Sequence, residues 1–357
     1  MKKLVFCMVL IFFIFTAAAY ADTEVSPYIE GETFFNETVD SIQSGDFTIN
    51  PVKIINNIAN DFTIEIRNSA KIVVTLLLIS VLSAVVNMLS SSFGAKTGSE
   101  AAFFACFTMM SGLSLQCFTT ALGYASEVIG KMTDFITKLS PAFMLAVAAS
   151  GAPVSAVAFR PVLSGAVYIV SILINSTLVP LMTFSAILGV VGGISDKVQL
   201  TNFCKVIRSV TKWLMAAIIT LFTGISTIYG FNAPALDAMS AKAVKFAVGS
   251  LVPVVGGFLS DTLETIISGT RLMKNAVGSA GIIVILTLCA LPVIKIFIIQ
   301  LILKIAAAVA EPVTDSRISK MLWEISEAVT TVFGVVIMTV VLFLINISLM
   351  IIFTNHT

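Results

Sequence analysis

Charge is scarce in this chain. Asp, Glu, Lys and Arg make up 11% of its 357 residues, against about 25% in soluble domains. Histidine is reduced to His356, next to last in the sequence, which excludes a His-dependent triad and a His-ligated metal site. The five cysteines, Cys7, Cys106, Cys117, Cys204 and Cys289, form no C-x-x-C pair. Cys106, Cys117 and Cys289 sit in apolar runs, where the thiol acts as a small hydrophobe, so neither a disulfide framework nor a metal cluster is expected. The chain has no G-x-x-x-x-G-K-[ST], no H-E-x-x-H and no G-x-S-x-G. It is therefore read as no P-loop ATPase, no zincin and no nucleophile-elbow hydrolase. No catalytic residue, metal or cofactor is expected, and the chain is read as a non-enzyme. A net charge of +1 leaves no electrostatic footprint for nucleic acid.

Apolar residues are abundant instead. They make up 57% of the chain, and the mean hydropathy is +1.02. Runs near 20 residues are long enough to cross a bilayer as helices. The fold class is an all-α polytopic membrane protein with about six full transmembrane helices and two segments broken by Pro and Gly.

Lys2 and Lys3 precede the apolar run Leu4–Phe15, and Ala19-x-Ala21 follows. This is the pattern of a secretory signal peptide, residues 1–21, cleaved after Ala21. An uncleaved anchor helix is the alternative, and both place the next segment outside the cytoplasm. Residues 22–70 are polar, with an apolar stripe of Ile54, Ile55, Ile58, Phe62 and Ile66 behind Pro51. They read as a small extracytoplasmic segment or a solvated linker.

The first mature span and its loop occupy 71–100. Two repeat-like units follow, 101–212 and 213–327, and the last span with the C-terminus is 328–357. Each unit runs through a span, a polar linker, a broken segment, a long span with a central proline and an amphipathic linker. Pro141 and Pro253 stand 112 residues apart, as do Pro180 and Pro292, and Ala101 and Trp213. An internal duplication accounts for this order; chance recurrence among ten prolines is the alternative. Pro141, Pro180 and Pro292 are candidate hinges, because a helix-interior proline removes a backbone donor and kinks the helix.

The amphipathic linker 196–212 carries Lys197, Lys205, Arg208 and Lys212 against a single acid, with Leu200, Phe203, Ile207 and Val210 as its apolar stripe. It is expected to lie along the membrane interface. If the broken segments are re-entrant, this linker is cytoplasmic, as the excess of cations favours. If they cross, the chain has eight spans and the linker is outside. Both topologies put the C-terminus outside. Gly189, Gly192, Gly193, Gly249, Gly256, Gly257, Gly278 and Gly281 provide for close helix packing.

The candidate functional stretch is Val252–Lys274. Pro253, Gly256 and Gly257 break an apolar run, and backbone freed at membrane depth must sit against protein or line a cavity. A polar-striped helix with Asp261, Glu264, Arg271 and Lys274 follows. Its acids come first and its cations last, which suits the helix dipole of an interfacial helix. The other reading is a pore or partner contact. Lys295, just after Pro292, marks either an ion or substrate path or a snorkelling cation, and Lys304 is read as snorkelling to the cytoplasmic surface.

The chain resembles the stage III sporulation protein AE family of endospore-forming bacteria. The likeness rests on the signal peptide, the polar segment, the apolar spans and the run Pro253-Val254-Val255-Gly256 … Ser260-Asp261 … Thr265 … Ser268 … Lys274-Asn275 … Gly278. It covers essentially all of the mature chain. The resemblance implies a subunit of the mother-cell membrane around the engulfed forespore, within a channel-like apparatus joining the two cells. The implied partners are a cytoplasmic ATPase, ring-forming stage III A proteins and the forespore stage II protein Q. The resemblance implies a need for the complex in late forespore gene expression and forespore integrity. It supplies no catalytic residues. A stand-alone secondary transporter and a non-transporting scaffold are the competing readings.

Overall fold

The computed structural model describes residues 74–76, 78–83, 85, 96–149, 152–194, 200–251, 256–312 and 314–353. Between 229 and 280 Met239 is the one residue with a described side chain. Ala19, Ala21, the 22–70 segment and Pro253 lie outside the described residues.

The described residues form helices and contain no strand. In chain order they are α1 (Val74–Ser83), α2 (Lys96–Ala149), α3 (Pro153–Ile194), α4 (Thr201–Leu251), α5 (Gly256–Ala310) and α6 (Ser316–Phe353). α2 to α6 each contain a stretch long and apolar enough to span a membrane. α1 is a shorter apolar helix at the place of the expected first mature span.

Several boundaries differ from the sequence reading. α2 carries Pro141 in its interior and runs to Ala149, so the first broken segment is the tail of one long helix and the head of the next. The break falls between Ala149 and Pro153, and Pro153 opens α3 at a position that needs no N–H. The polar stretch around Glu127, Lys131 and Asp134, expected between elements, is also helical and continuous with α2.

Pro180 leaves α3 intact but widens it. Val170–Leu178 is π-helical, and the Val179 N–H reaches back to the Ile174 carbonyl. The wider turn makes room for a pyrrolidine ring that would otherwise press on the preceding turn. Pro161 and Pro292 lie within α3 and α5.

Contacts set the helix directions. Gly189 and Gly193 of α3 meet Glu324 and Met321 of α6, so these two run antiparallel. Gly281 of α5 meets Leu139 of α2 and Ile347 of α6, while Lys304 of α5 reaches Glu327 of α6. α5 therefore runs against both. Arg208 pairs with Glu324 near the starts of α4 and α6, and Gly334 meets Met215, so these two are parallel. The bundle alternates up and down.

α6 is the axis. Met321, Leu322, Ile325, Ala328, Val329, Val332, Val336 and Phe343 are buried on one broad face, and only the narrow stripe of Trp323, Ile337 and Val341 on the opposite side exposes large apolar side chains. In its apolar stretch 61% of residues are buried, against 28% in that of α4. Lipid tails are as apolar as leucine, so close packing of small residues drives such association more than the hydrophobic effect does. The row Ser185, Gly189, Gly193 provides that packing on α3. A Cβ at Gly189 would lie 2.9 Å from Glu324 Cβ, and one at Gly193 would lie 2.9 Å from both Met321 Cβ and Phe107 Cε2.

Candidate functional site

One end of the bundle gathers the start of α2, the end of α3, the start of α4, the end of α5 and the start of α6. Here the scarce charges meet. Arg208 donates from Nη1 to Glu324 Oε2 at 2.6 Å, and both side chains are over 90% buried. A lone ion there would cost several kcal/mol, on the order of the penalty known for buried charges. The pair with its short charge-assisted bond offsets much of that.

Local sequence explains how Arg208 comes to be inside. The first turns of α4 bury Cys204, Ile207, Arg208 and Thr211, while Phe203, Val206 and Val210 are exposed. Residues 201–212 of the linker expected to lie along the interface on its apolar stripe are instead the base of α4, and three of the four buried residues there are polar or sulfur-bearing. The hydroxyl of Thr211 donates to the Ile207 carbonyl, and Cys204 Sγ donates to the Ser185 carbonyl at 3.8 Å. Gly189 lets α3 approach close enough to cap the Glu324 side of the pair.

A second pair lies one turn along α6. Lys304 Nζ is 3.2 Å from Glu327 Oε1, with both side chains about a quarter to a third exposed. The expected snorkelling of Lys304 thus ends on a carboxylate of the neighbouring helix. Ser319 Oγ donates to the Ala307 carbonyl in the same α5–α6 seam.

A third group stands at the tip of α6. Asp315 is its N-cap, accepting from the Arg317 N–H at 3.0 Å. The Arg317 guanidinium forks onto the same carboxylate at 3.1 and 2.9 Å and stacks over the Phe103 ring at 3.6 Å. Hydrogen bonding from Arg317 holds the Asp315 carboxyl below its ordinary range, against the opposing effect of burial. Trp213 and Trp323, both exposed at this end, match an interfacial aromatic belt.

The residues singled out in the sequence are distributed differently. Gly256, Gly257, Asp261, Glu264, Arg271 and Lys274 occupy the first part of α5. Their side chains, like Pro253, lie outside the described residues. Lys295 is half-buried farther along α5, its ammonium 5.0 Å from the Tyr124 ring centroid of α2. Arg208 and Glu324 escaped the sequence reading because their linkers resemble surface helices. Their partnership spans 116 positions, and no local spacing signals it. Among the described residues no group of His, Cys, Asp and Glu could hold a metal. The buried Cys106, Cys117, Cys204 and Cys289 are free thiols.

Comparison with known proteins gives one consistent match. The family model described as stage III sporulation protein AE matches residues 33–354. The chain is similar to the stage III sporulation protein AE of Bacillus subtilis (strain 168), 28% identical over 314 residues, covering 88% of this chain and 79% of the relative. No solved structure matches.

Proposed function

Because this chain belongs to the stage III sporulation protein AE family, we propose that it is a multi-pass subunit of the membrane apparatus joining mother cell and forespore during endospore formation. It serves there as a conduit or export-gate component and not as an enzyme. The observation that carries this reading is the family match across nearly the whole chain, on a chain whose described residues include five helices of membrane-spanning length and composition. The partners in this reading are the cytoplasmic ATPase, the ring-forming stage III A proteins and the forespore stage II protein Q.

The charged end of the bundle is cytoplasmic in this proposal. Lys205, Arg208 and Lys212 lie there, and cations accumulate on that side of membrane proteins. Alternating helices then put the C-terminus outside, together with the α2–α3 and α4–α5 connections. α2 and α5, with 54 and 55 residues, are about 80 Å long at 1.5 Å per residue, far beyond the ~30 Å hydrocarbon core. Both hairpins then project toward the space facing the forespore.

The test is reconstitution combined with genetics. Cells lacking the chain are expected to lose heat-resistant spores, and the tagged chain is expected to co-purify with the ATPase and ring proteins. Liposomes holding the chain alone are expected to pass no ion or solute. Flux from the chain alone, with normal sporulation in its absence, would establish the stand-alone transporter instead.

A further inference from the structure

The outward face of α2 is unlike that of any other described helix. Gln116, Thr120, Gly123, Glu127, Gly130 and Asp134 recur every three or four residues and are all exposed, so they form one stripe. Among the described residues α2 exposes no large apolar side chain between Met109 and Leu145. α3 and α4 expose Ile172, Phe184, Ile187, Leu221, Ile225 and Ile228 over comparable lengths, as lipid-facing helices do.

The stripe lies at membrane depth. Lys295 stands over Tyr124, and Gly281 abuts Leu139. Residues 124–139 of α2 are therefore level with 281–295 of α5, within the most apolar of the described spans, of mean hydropathy 2.9. The Glu127–Lys131 pair at 2.8 Å, with side chains nearly half exposed, falls inside that level. Ionised groups facing hydrocarbon there would cost about 2.5–3.5 kcal/mol each, or more. A face with no apolar anchor also gives a packed helix little to hold.

We propose that this stripe is the wall of a water-filled path, closed on its far side by further protein of the assembly and open to hydrated solutes. A Cβ added at Gly112, Gly123 or Gly130 would meet nothing within 4 Å, so the wall is low and leaves room for water. The inference deepens the proposed conduit role and rests on it for the assembly in which the path closes.

Accessibility of introduced thiols tests it. A thiol must ionise to react, and ionisation requires water. Single Cys variants Thr120→Cys and Asp134→Cys on the stripe, with Ser126→Cys at its exposed edge, would be made in the full chain and probed in membranes of sporulating cells with a charged methanethiosulfonate. Ile172→Cys and Ile225→Cys serve as lipid-facing controls. The stripe positions are expected to react at least about tenfold faster than the controls. Reaction with a lipid-soluble maleimide only, or protection from both reagents, would overturn the proposal, the latter by making the stripe a packed interface. The conservative Thr120→Cys and Ser126→Cys changes keep the result independent of folding defects, which membrane levels of each variant report. Spore yield of cells lacking the chain, measured in parallel, separates failure of this wall from failure of the sporulation role.

Discussion

The seam between α3, α4 and α6 and the outward face of α2 draw on the same kinds of residue for opposite ends. Each combines glycines with an acid–base pair. In the seam, protein closes over everything: Arg208 and Glu324 are buried, and Gly189 and Gly193 have no room for a methyl group. On α2 the pair Glu127–Lys131 is open, and Gly112, Gly123 and Gly130 touch nothing. The seam therefore serves cohesion, while the α2 face contributes nothing to holding this chain together.

The largest effect is expected in the seam. Arg208→Ala strands the Glu324 carboxylate and should cost about 3–5 kcal/mol, read as loss of folded protein in detergent unfolding. The double change Arg208→Met with Glu324→Leu should recover most of that loss, since well-packed apolar pairs often replace buried ions without penalty. A double variant no better than the single would show that the stranded charge is not the cause.

The glycines sharpen the contrast directly. Gly193→Ala and Gly189→Ala force Cβ contacts at 2.9 Å and should cost about 1–3 kcal/mol, as overpacking does. Gly112→Ala, Gly123→Ala and Gly130→Ala should be neutral or stabilising by up to ~1 kcal/mol, because helical Ala loses less entropy than Gly. Equal effects in the two sets would erase the distinction.

A smaller step separates the Arg208–Glu324 pair of the seam from the neighbouring Lys304–Glu327 pair between α5 and α6. Lys304 and Glu327 are partly solvated, so Lys304→Ala should cost at most about 1 kcal/mol. A loss matching that of Arg208→Ala would mean that the second pair is effectively as dry as the first.

The smallest effect concerns acid. The Asp315 carboxyl is held low in the folded chain, so its contribution is complete above its unfolded pKa, about 3.9. It is lost as pH falls through the lower folded value. Asp315→Asn should remove that contribution at neutral pH, a small loss, and merge with the parent in acid, so that the acid limb of the stability–pH profile flattens. An unchanged acid limb would remove the Arg317 hydrogen bonds from the account.

Much of this was legible in the residues. Apolar runs announced the spans, since only helices satisfy every backbone group in lipid without a closed barrel. The glycines at 189 and 193 fit the close packing expected of them. Two elements depart from local expectation for one reason. The linker 196–212 has the pattern of an interfacial helix and the polar stretch after Leu122 that of a connection only if polar residues face water. In a membrane bundle the inside can be the polar side, as at Arg208, and a polar face can ride on a helix level with the apolar spans of its neighbours.

The sequence by itself determined that this chain is helical, membrane-embedded and poor in reactive side chains, because hydropathy and composition are local quantities. It also carried the family likeness, in the run from Pro253 to Gly278. Tertiary structure alone decided which charges meet, which glycines are closed and which face of α2 turns outward. Those depend on the register between helices far apart in the chain: 208 against 324, 189 against 324, 124 against 295. Register is a property of packed surfaces, and no spacing within a single helix encodes it.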